Sequence, residues 1–209
     1  MAERLAHAVR AGGHIALTGG RTPELAYVEA AKREPDWSKA ELWWSDERCV
    51  PPDDDLSNYA LAKRTLLERL ERGPRAVHRI KGELGKEQAA VDYELELGNT
   101  VFDLELLGVG KDGHVASLFP NAPTLHERRR VLPAEPALDP FVDRVTLSIP
   151  ALNSAREIVF ALSGADKAEA ARRAFASTPG TETPASLVRA QAGRTTAILD
   201  RAAAAKLRP

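Results

Sequence analysis

Apolar residues along this chain fall into short, nearly continuous runs separated by longer amphipathic stretches. Runs at 14–19, 41–45, 102–109, 144–149, 157–162 and 195–199 have the length of strands and are bounded by glycine, proline or charge. Most of the intervals between them are rich in alanine and leucine at helical spacing. From Ser57 onward, Tyr59, Ala62, Leu66, Leu67 and Leu70 form one stripe, and 86–97 predicts another helix. Thr22, Pro23 and Glu24 read as the start of a helix, with Thr22 as the cap, proline at the first position and an acid in the first turn. Strands apolar enough to be covered on both faces, alternating with helices, predict an α/β fold with a mostly parallel sheet flanked by helices. The stretch 121–140 carries four prolines, a basic run at Arg128 to Arg130 and no clear period, and predicts a long surface loop.

Composition narrows the function classes. The 209 residues are 44% hydrophobic and 28% charged, ordinary globular values, and the expectation is one domain over 1–209. A formal net charge of -1 provides neither the basic field that nucleic acid requires nor a polybasic membrane anchor, so neither partner is expected. Any anion must be met locally. The lone Cys49 cannot form an internal disulfide, and one thiol with five histidines offers little for structural zinc. With no signal-like apolar stretch at the start, the expectation is a cytoplasmic protein without a bound metal.

Chemistry concentrates in three segments. In Leu17-Thr18-Gly19-Gly20-Arg21-Thr22-Pro23 a strand ends in two glycines before a helix, an arrangement whose free amides can hold a phosphate but which also serves as a plain tight turn. It matches neither the P-loop nor the dinucleotide fingerprint. In Trp43-Trp44-Ser45-Asp46-Glu47-Arg48 an apolar strand ends in three charges, where ligands sit in open α/β sheets; a solvated turn with an ion pair is the alternative. The third, Gly108-Val109-Gly110-Lys111-Asp112-Gly113-His114, is followed by Val115-Ala116-Ser117-Leu118-Phe119-Pro120. It delivers a carboxylate and an imidazole two residues apart on a glycine turn, a pair suited to moving a proton near neutral pH. His7, His14, His78 and His126 have no such setting and read as structural or surface residues. Arg144, opening a strand, and Lys167, at another strand-to-helix junction, are candidate cations for a phosphate.

In this order, the segments resemble the 6-phosphogluconolactonases. Arg144-Val145-Thr146-Leu147, Gly164-Ala165-Asp166-Lys167-Ala168 and Pro184-Ala185-Ser186-Leu187-Val188 extend the resemblance over nearly the whole chain. Its most specific part is Asp112 to Pro120; departures are Lys111 and a short N-terminal start. The resemblance implies the Rossmann-like fold of the sugar-phosphate isomerase and deaminase superfamily, with no cofactor needed. It also implies hydrolysis of 6-phospho-D-glucono-1,5-lactone in the oxidative pentose phosphate pathway, by a monomer functionally linked to glucose-6-phosphate dehydrogenase. His114 then corresponds to the general base, with Asp112 and Asp46 orienting it. Gly19, Gly20, Arg21, Thr22, Arg48, Arg144 and Lys167 correspond to the phosphate-binding groups.

Two other readings share features with this chain. Amino-sugar-6-phosphate deaminases and isomerases resemble it in fold and in the Asp-Gly-His turn, but carry Asn-Glu-Pro shortly after the histidine; here Ser117-Leu118-Phe119-Pro120 offers no second acid. A non-catalytic sugar-phosphate sensor has no need of such a turn and would bring a DNA-binding module, for which no basic or helix-turn-helix pattern precedes the first strand.

Overall fold

A computed structural model describes residues 1–137 and 139–207. In chain order the strands are β1 (Gly13–Leu17), β2 (Ala40–Trp44), β3 (Asp46–Arg48), β4 (Ala76–Val77), β5 (Leu104–Leu107), β6 (Val131–Ala134), β7 (Arg144–Leu147), β8 (Glu157–Leu162) and β9 (Arg194–Leu199). The α-helices are α1 (Ala2–Ala11), α2 (Arg21–Arg33), α3 (Asn58–Thr65), α4 (Lys86–Leu97), α5 (Ile149–Asn153) and α6 (Ala168–Phe175). Six strands form one wholly parallel sheet in the order β4-β2-β1-β5-β8-β9. Its centre is the apolar core: every residue of β5 is buried, with Ile15 and Leu17 of β1 and Ile158, Val159 and Phe160 of β8 beside it.

The predicted strands all form, but 144–149 leaves the parallel sheet. Its first four residues are β7, the middle strand of a small antiparallel sheet, β3-β7-β6, and Ser148 then caps α5. The chain crosses from one sheet to the other at Ser45. That residue donates its amide to the Leu17 carbonyl of the large sheet and accepts the Leu147 amide of the small one.

Two expectations are corrected. The segment 121–140 is not a structureless loop, because it holds a 3-10 turn at Pro123–His126 and strand β6. Its prolines misled: β6 is an edge strand, where Pro133 needs no ladder partner on its open side while Val131, Leu132 and Ala134 stay buried. Thr22 is not the cap of α2 either. The helix begins at Arg21, and Gly20, with φ 106°, occupies the cap position without a side-chain hydrogen bond. The left-handed turn at Gly20 starts the helix two residues early and leaves Thr22 inside its first turn.

Candidate active site

Strand ends decide where the candidate residues meet. In the order β2-β1-β5-β8, the carboxyl ends lead in turn to Asp46 and Arg48, the Gly19-Gly20 turn, the Asp112–His114 turn and Lys167. The chain passes from β1 to β2 on one side and from β5 to β8 on the other, so the order reverses between β1 and β5 and a crevice opens there, the usual ligand position of such sheets. The small sheet adds Arg144 from the side.

Asp112 and His114 form a direct pair. The imidazole Nδ1 lies 2.6 Å from Asp112 Oδ1, which also accepts the His114 amide at 3.2 Å. With Nδ1 directed at the carboxylate, Nε2 is the nitrogen left to take a proton. Burial works to raise the Asp112 carboxyl, but the hydrogen bond and charge of His114 prevail and hold it below the usual carboxylate range. Gly110 makes the pair possible. A Cβ there would lie 2.1 Å from His114 Nδ1 and 2.5 Å from Asp112 Oδ1, so both side chains rest on its bare α-carbon. Phe119 covers the other side, its ring 5.2 Å from the imidazole and 5.7 Å from the Arg144 guanidinium.

Asp46 stands near this pair without touching it. Its buried carboxylate accepts Ser117 Oγ at 2.7 Å and Asn58 Nδ2 at 3.2 Å. Among the described residues its link to the histidine runs through Ser117, three residues further along the same turn, so any orienting effect on His114 is indirect. Ala116, between them, adopts φ 49°, a left-handed strain that turns Ser117 toward Asp46. Asn58 also packs its Oδ1 where a side chain on Gly19 would sit, 1.9 Å from the would-be Cβ, so its amide links the glycine turn to Asp46, which in turn holds Ser117.

Glu47, the other acid of that charged triple, is structural. Its carboxylate accepts the amides of Asn58 and Tyr59 at 2.7 and 2.8 Å and the Ser57 hydroxyl at 2.9 Å, closing the start of α3. Arg48 and Arg144 lie directly opposite each other in the β3-β7 register. Like charges so placed repel unless an anion joins them. Arg144 is buried, and that burial, then the charge of Arg48, lowers its basicity. Arg48 Nη1 donates to the Leu56 carbonyl at 2.6 Å and Arg144 Nη2 to the Pro140 carbonyl at 3.3 Å. The Nε of each is buried without a partner among the described residues. Two convergent, under-bonded guanidiniums suit a phosphate.

Lys167 donates to the Val109 carbonyl at 2.8 Å at the root of the His114 turn, and burial lowers its basicity. Arg21 is exposed and Thr22 half-buried at the uncapped end of α2. Cys49 is half-buried, its thiol pushed up to about 11 by burial, then by Asp143 and Glu47. It is not an activated nucleophile. Among the described residues, no group of three or more His, Cys, Asp or Glu side chains could hold a metal ion, and no helix is long and apolar enough to cross a membrane. Gly110, Ser117 and Phe119 lay within the segment singled out in the sequence, but their roles, like that of Asn58, are set by neighbours in space.

The family model of glucosamine-6-phosphate isomerases/6-phosphogluconolactonase matches residues 1–197. A 6-phosphogluconolactonase of Streptomyces coelicolor is 36% identical over 222 residues, covering 97% of this chain and 85% of that protein. The crystal structure of 6-phosphogluconolactonase from Thermotoga maritima superposes with a TM-score of 0.83 at 31% identity, covering 95% of each chain. A monomeric glucosamine-6-phosphate deaminase shares the fold, with a TM-score of 0.81 at 22% identity over 98% of this chain and 93% of that one. The backbone alone therefore does not separate the two activities.

Proposed function

The chain belongs to the family of glucosamine-6-phosphate isomerases and 6-phosphogluconolactonases, and we propose that it hydrolyses 6-phospho-D-glucono-1,5-lactone to 6-phospho-D-gluconate. Relatives named for this activity support an enzyme of the lactone-hydrolase class. One observation carries the choice within the family. The His114 imidazole and the Arg144 guanidinium share the Phe119 ring, Arg144 faces Arg48, and the next polar side chain of the histidine's turn, Ser117, is committed to Asp46 rather than being a second acid. One base acting on water suffices for a lactone.

In this reading the substrate phosphate joins Arg48 and Arg144, with Lys167 and the free amides of the Gly19, Gly20, Arg21 and Thr22 turn completing its site. Holding that end positions the ring over the imidazole. Nε2 of His114 takes a proton from water as the oxygen attacks C1, while Asp112 stabilises the imidazolium. When the tetrahedral intermediate collapses, the imidazolium gives the proton to the ring oxygen and the ring opens. Help of this kind is worth about 10²- to 10⁴-fold. Asp46 acts as a positioning group through Ser117. The activity is the second step of the oxidative pentose phosphate pathway, consuming the lactone that glucose-6-phosphate dehydrogenase makes. The protein is accordingly expected in the cytoplasm, as a monomer and a single domain.

The test follows acid release at constant pH from freshly prepared 6-phosphogluconolactone, with spontaneous hydrolysis subtracted. Wild type should exceed background, His114→Ala should fall close to it, and unphosphorylated gluconolactone should be a poor substrate. No rate above background would end the lactonase reading; equal rates for wild type and His114→Ala would end the base assignment.

A further inference from the structure

The turn that carries the Asp112–His114 pair is held from outside by a residue that belongs to none of the site segments. We propose that Arg173, on α6, is a positioning residue for the reaction, fixing the main chain of Asp112 so that its carboxylate meets the imidazole. The inference rests on the lactonase reading for its kinetic readout only.

Arg173 Nη1 donates to the Asp112 carbonyl at 3.0 Å and Nη2 to the Lys111 carbonyl at 2.8 Å. Its Nε is buried without a partner among the described residues, so the guanidinium is committed to these two oxygens. The planar fork of arginine fits two successive carbonyls at once and fixes their orientation as well as their distance. From the segment 183–185 the Ala185 amide donates to the Gly113 carbonyl at 3.1 Å, and Thr183 packs on the Gly113 α-carbon. The turn is thus gripped at 111, 112 and 113, directly before the histidine.

The adjacent Arg172 behaves differently. It pairs with Glu169 at 2.7 Å on the helix surface, as expected for a basic helix end, and this makes the two arginines look alike in sequence. Only Arg173 reaches the turn, 61 residues away in the chain. Asp112 contributes its carbonyl to Arg173 and its carboxylate to His114, so a shift of its backbone moves both. With the pair only 2.6 Å apart, a displacement of about 1 Å is enough to separate it, and misplacement on that scale costs on the order of 10²-fold in rate.

The experiment compares wild type, Arg173→Met, Arg173→Lys, Asp112→Asn and Arg173→Met/Asp112→Asn, with Arg172→Met as the surface control. The first readout is kcat and KM on the phosphorylated lactone. Arg173→Met should lower kcat by about 10- to 100-fold with KM changed by less than about three-fold, and Arg172→Met should resemble wild type. In the Asp112→Asn background the same Arg173 substitution should change kcat by less than about three-fold, because the group it positions is already disabled. The second readout needs no activity: the imidazole ¹⁵N spectrum of His114 should show a hydrogen-bonded Nδ1–H in wild type and lose it in Arg173→Met. Failure of the lactonase reading itself would leave this spectral difference in place. Should Arg173→Met not fold, Arg173→Lys, which keeps stem and charge but not the fork, is read by the same criteria. A full loss of kcat persisting in the Asp112→Asn background, an unchanged kcat in a folded Arg173 variant, or an unaltered His114 spectrum would overturn the proposal.

Discussion

Glu105 sits in the middle of β5, fully buried, with Oε1 2.5 Å from Ser45 Oγ and Oε2 without a partner among the described residues. Burial, then the charge of Asp46, raises its carboxyl to about 8 against the hydrogen bond from Ser45, so it is protonated at neutral pH. The surroundings agree. Ser45 has one hydroxyl proton and faces the Leu17 carbonyl at 3.1 Å as well as the carboxyl; a protonated Glu105 donates to Ser45, which can then donate to Leu17. Between the ordinary value of 4.5 and about 8, the folded protein binds a proton that the unfolded chain has released, so stability falls as pH rises and levels off above the folded value. At ~1.4 kcal/mol per pH unit this amounts to about 3 kcal/mol lost by pH 7. Glu105→Gln removes the titration. The amide keeps a donor for Ser45 and adds a second buried N–H that costs about 1–3 kcal/mol, so the absolute offset at acid pH is small or unfavourable. The decisive quantity is the change with pH: the stability of the variant relative to wild type should grow by about 3–4 kcal/mol from pH 5 to pH 8. Urea unfolding followed by the buried Trp37, Trp43 and Trp44 measures it at each pH. Parallel stability curves for the two proteins would refute the assignment of a neutral Glu105.

Three further substitutions probe the site and its scaffold. Gly110→Ala should leave the circular dichroism spectrum intact while lowering kcat by about 10²-fold, because its methyl would displace both members of the Asp112–His114 pair. Arg144→Met should raise KM for the phosphorylated lactone by about ten-fold or more, leave hydrolysis of the unphosphorylated lactone unchanged, and not lower stability in urea, since it also removes the repulsion of Arg48. Glu47→Ala strips the start of α3 of its buried acceptor and should cost about 2–4 kcal/mol in urea unfolding.

The parallel sheet was legible because its central strands are apolar on both faces and alternate with helix-length intervals; α4 occupies the expected 86–97. The Asp112–His114 pair was legible for a related reason: two residues apart on one turn, the partners need no tertiary information. What escaped depends on partners far apart in sequence. Asp46, Glu47 and Arg48 read as charges at a strand's carboxyl end, either facing a ligand cleft or forming a solvated turn, yet they form β3. Asp46 accepts from Ser117, Glu47 closes the start of α3, and Arg48 is left facing the like-charged Arg144. The contact between Ser117 and Asp46 spans 71 residues, and no periodicity announces it. Prolines disguised β6, and a left-handed glycine displaced the first residue of α2 from Pro23 to Arg21.

The change of sheet at Ser45 has a consequence for selectivity. His114 is mounted beyond β5 of the large sheet, whereas Arg48 and Arg144 face each other across strands of the small one. The reach from the His114 imidazole to the two arginines is therefore a distance between two sheets, set where the Leu17, Ser45 and Leu147 backbones are stitched together. Under the proposed lactonase reading, that seam would act as a caliper for the length of a sugar phosphate. Altering the packing behind it, at positions no ligand touches, should shift the preferred chain length, while sequence drift in the outer loops leaves the gauge unchanged.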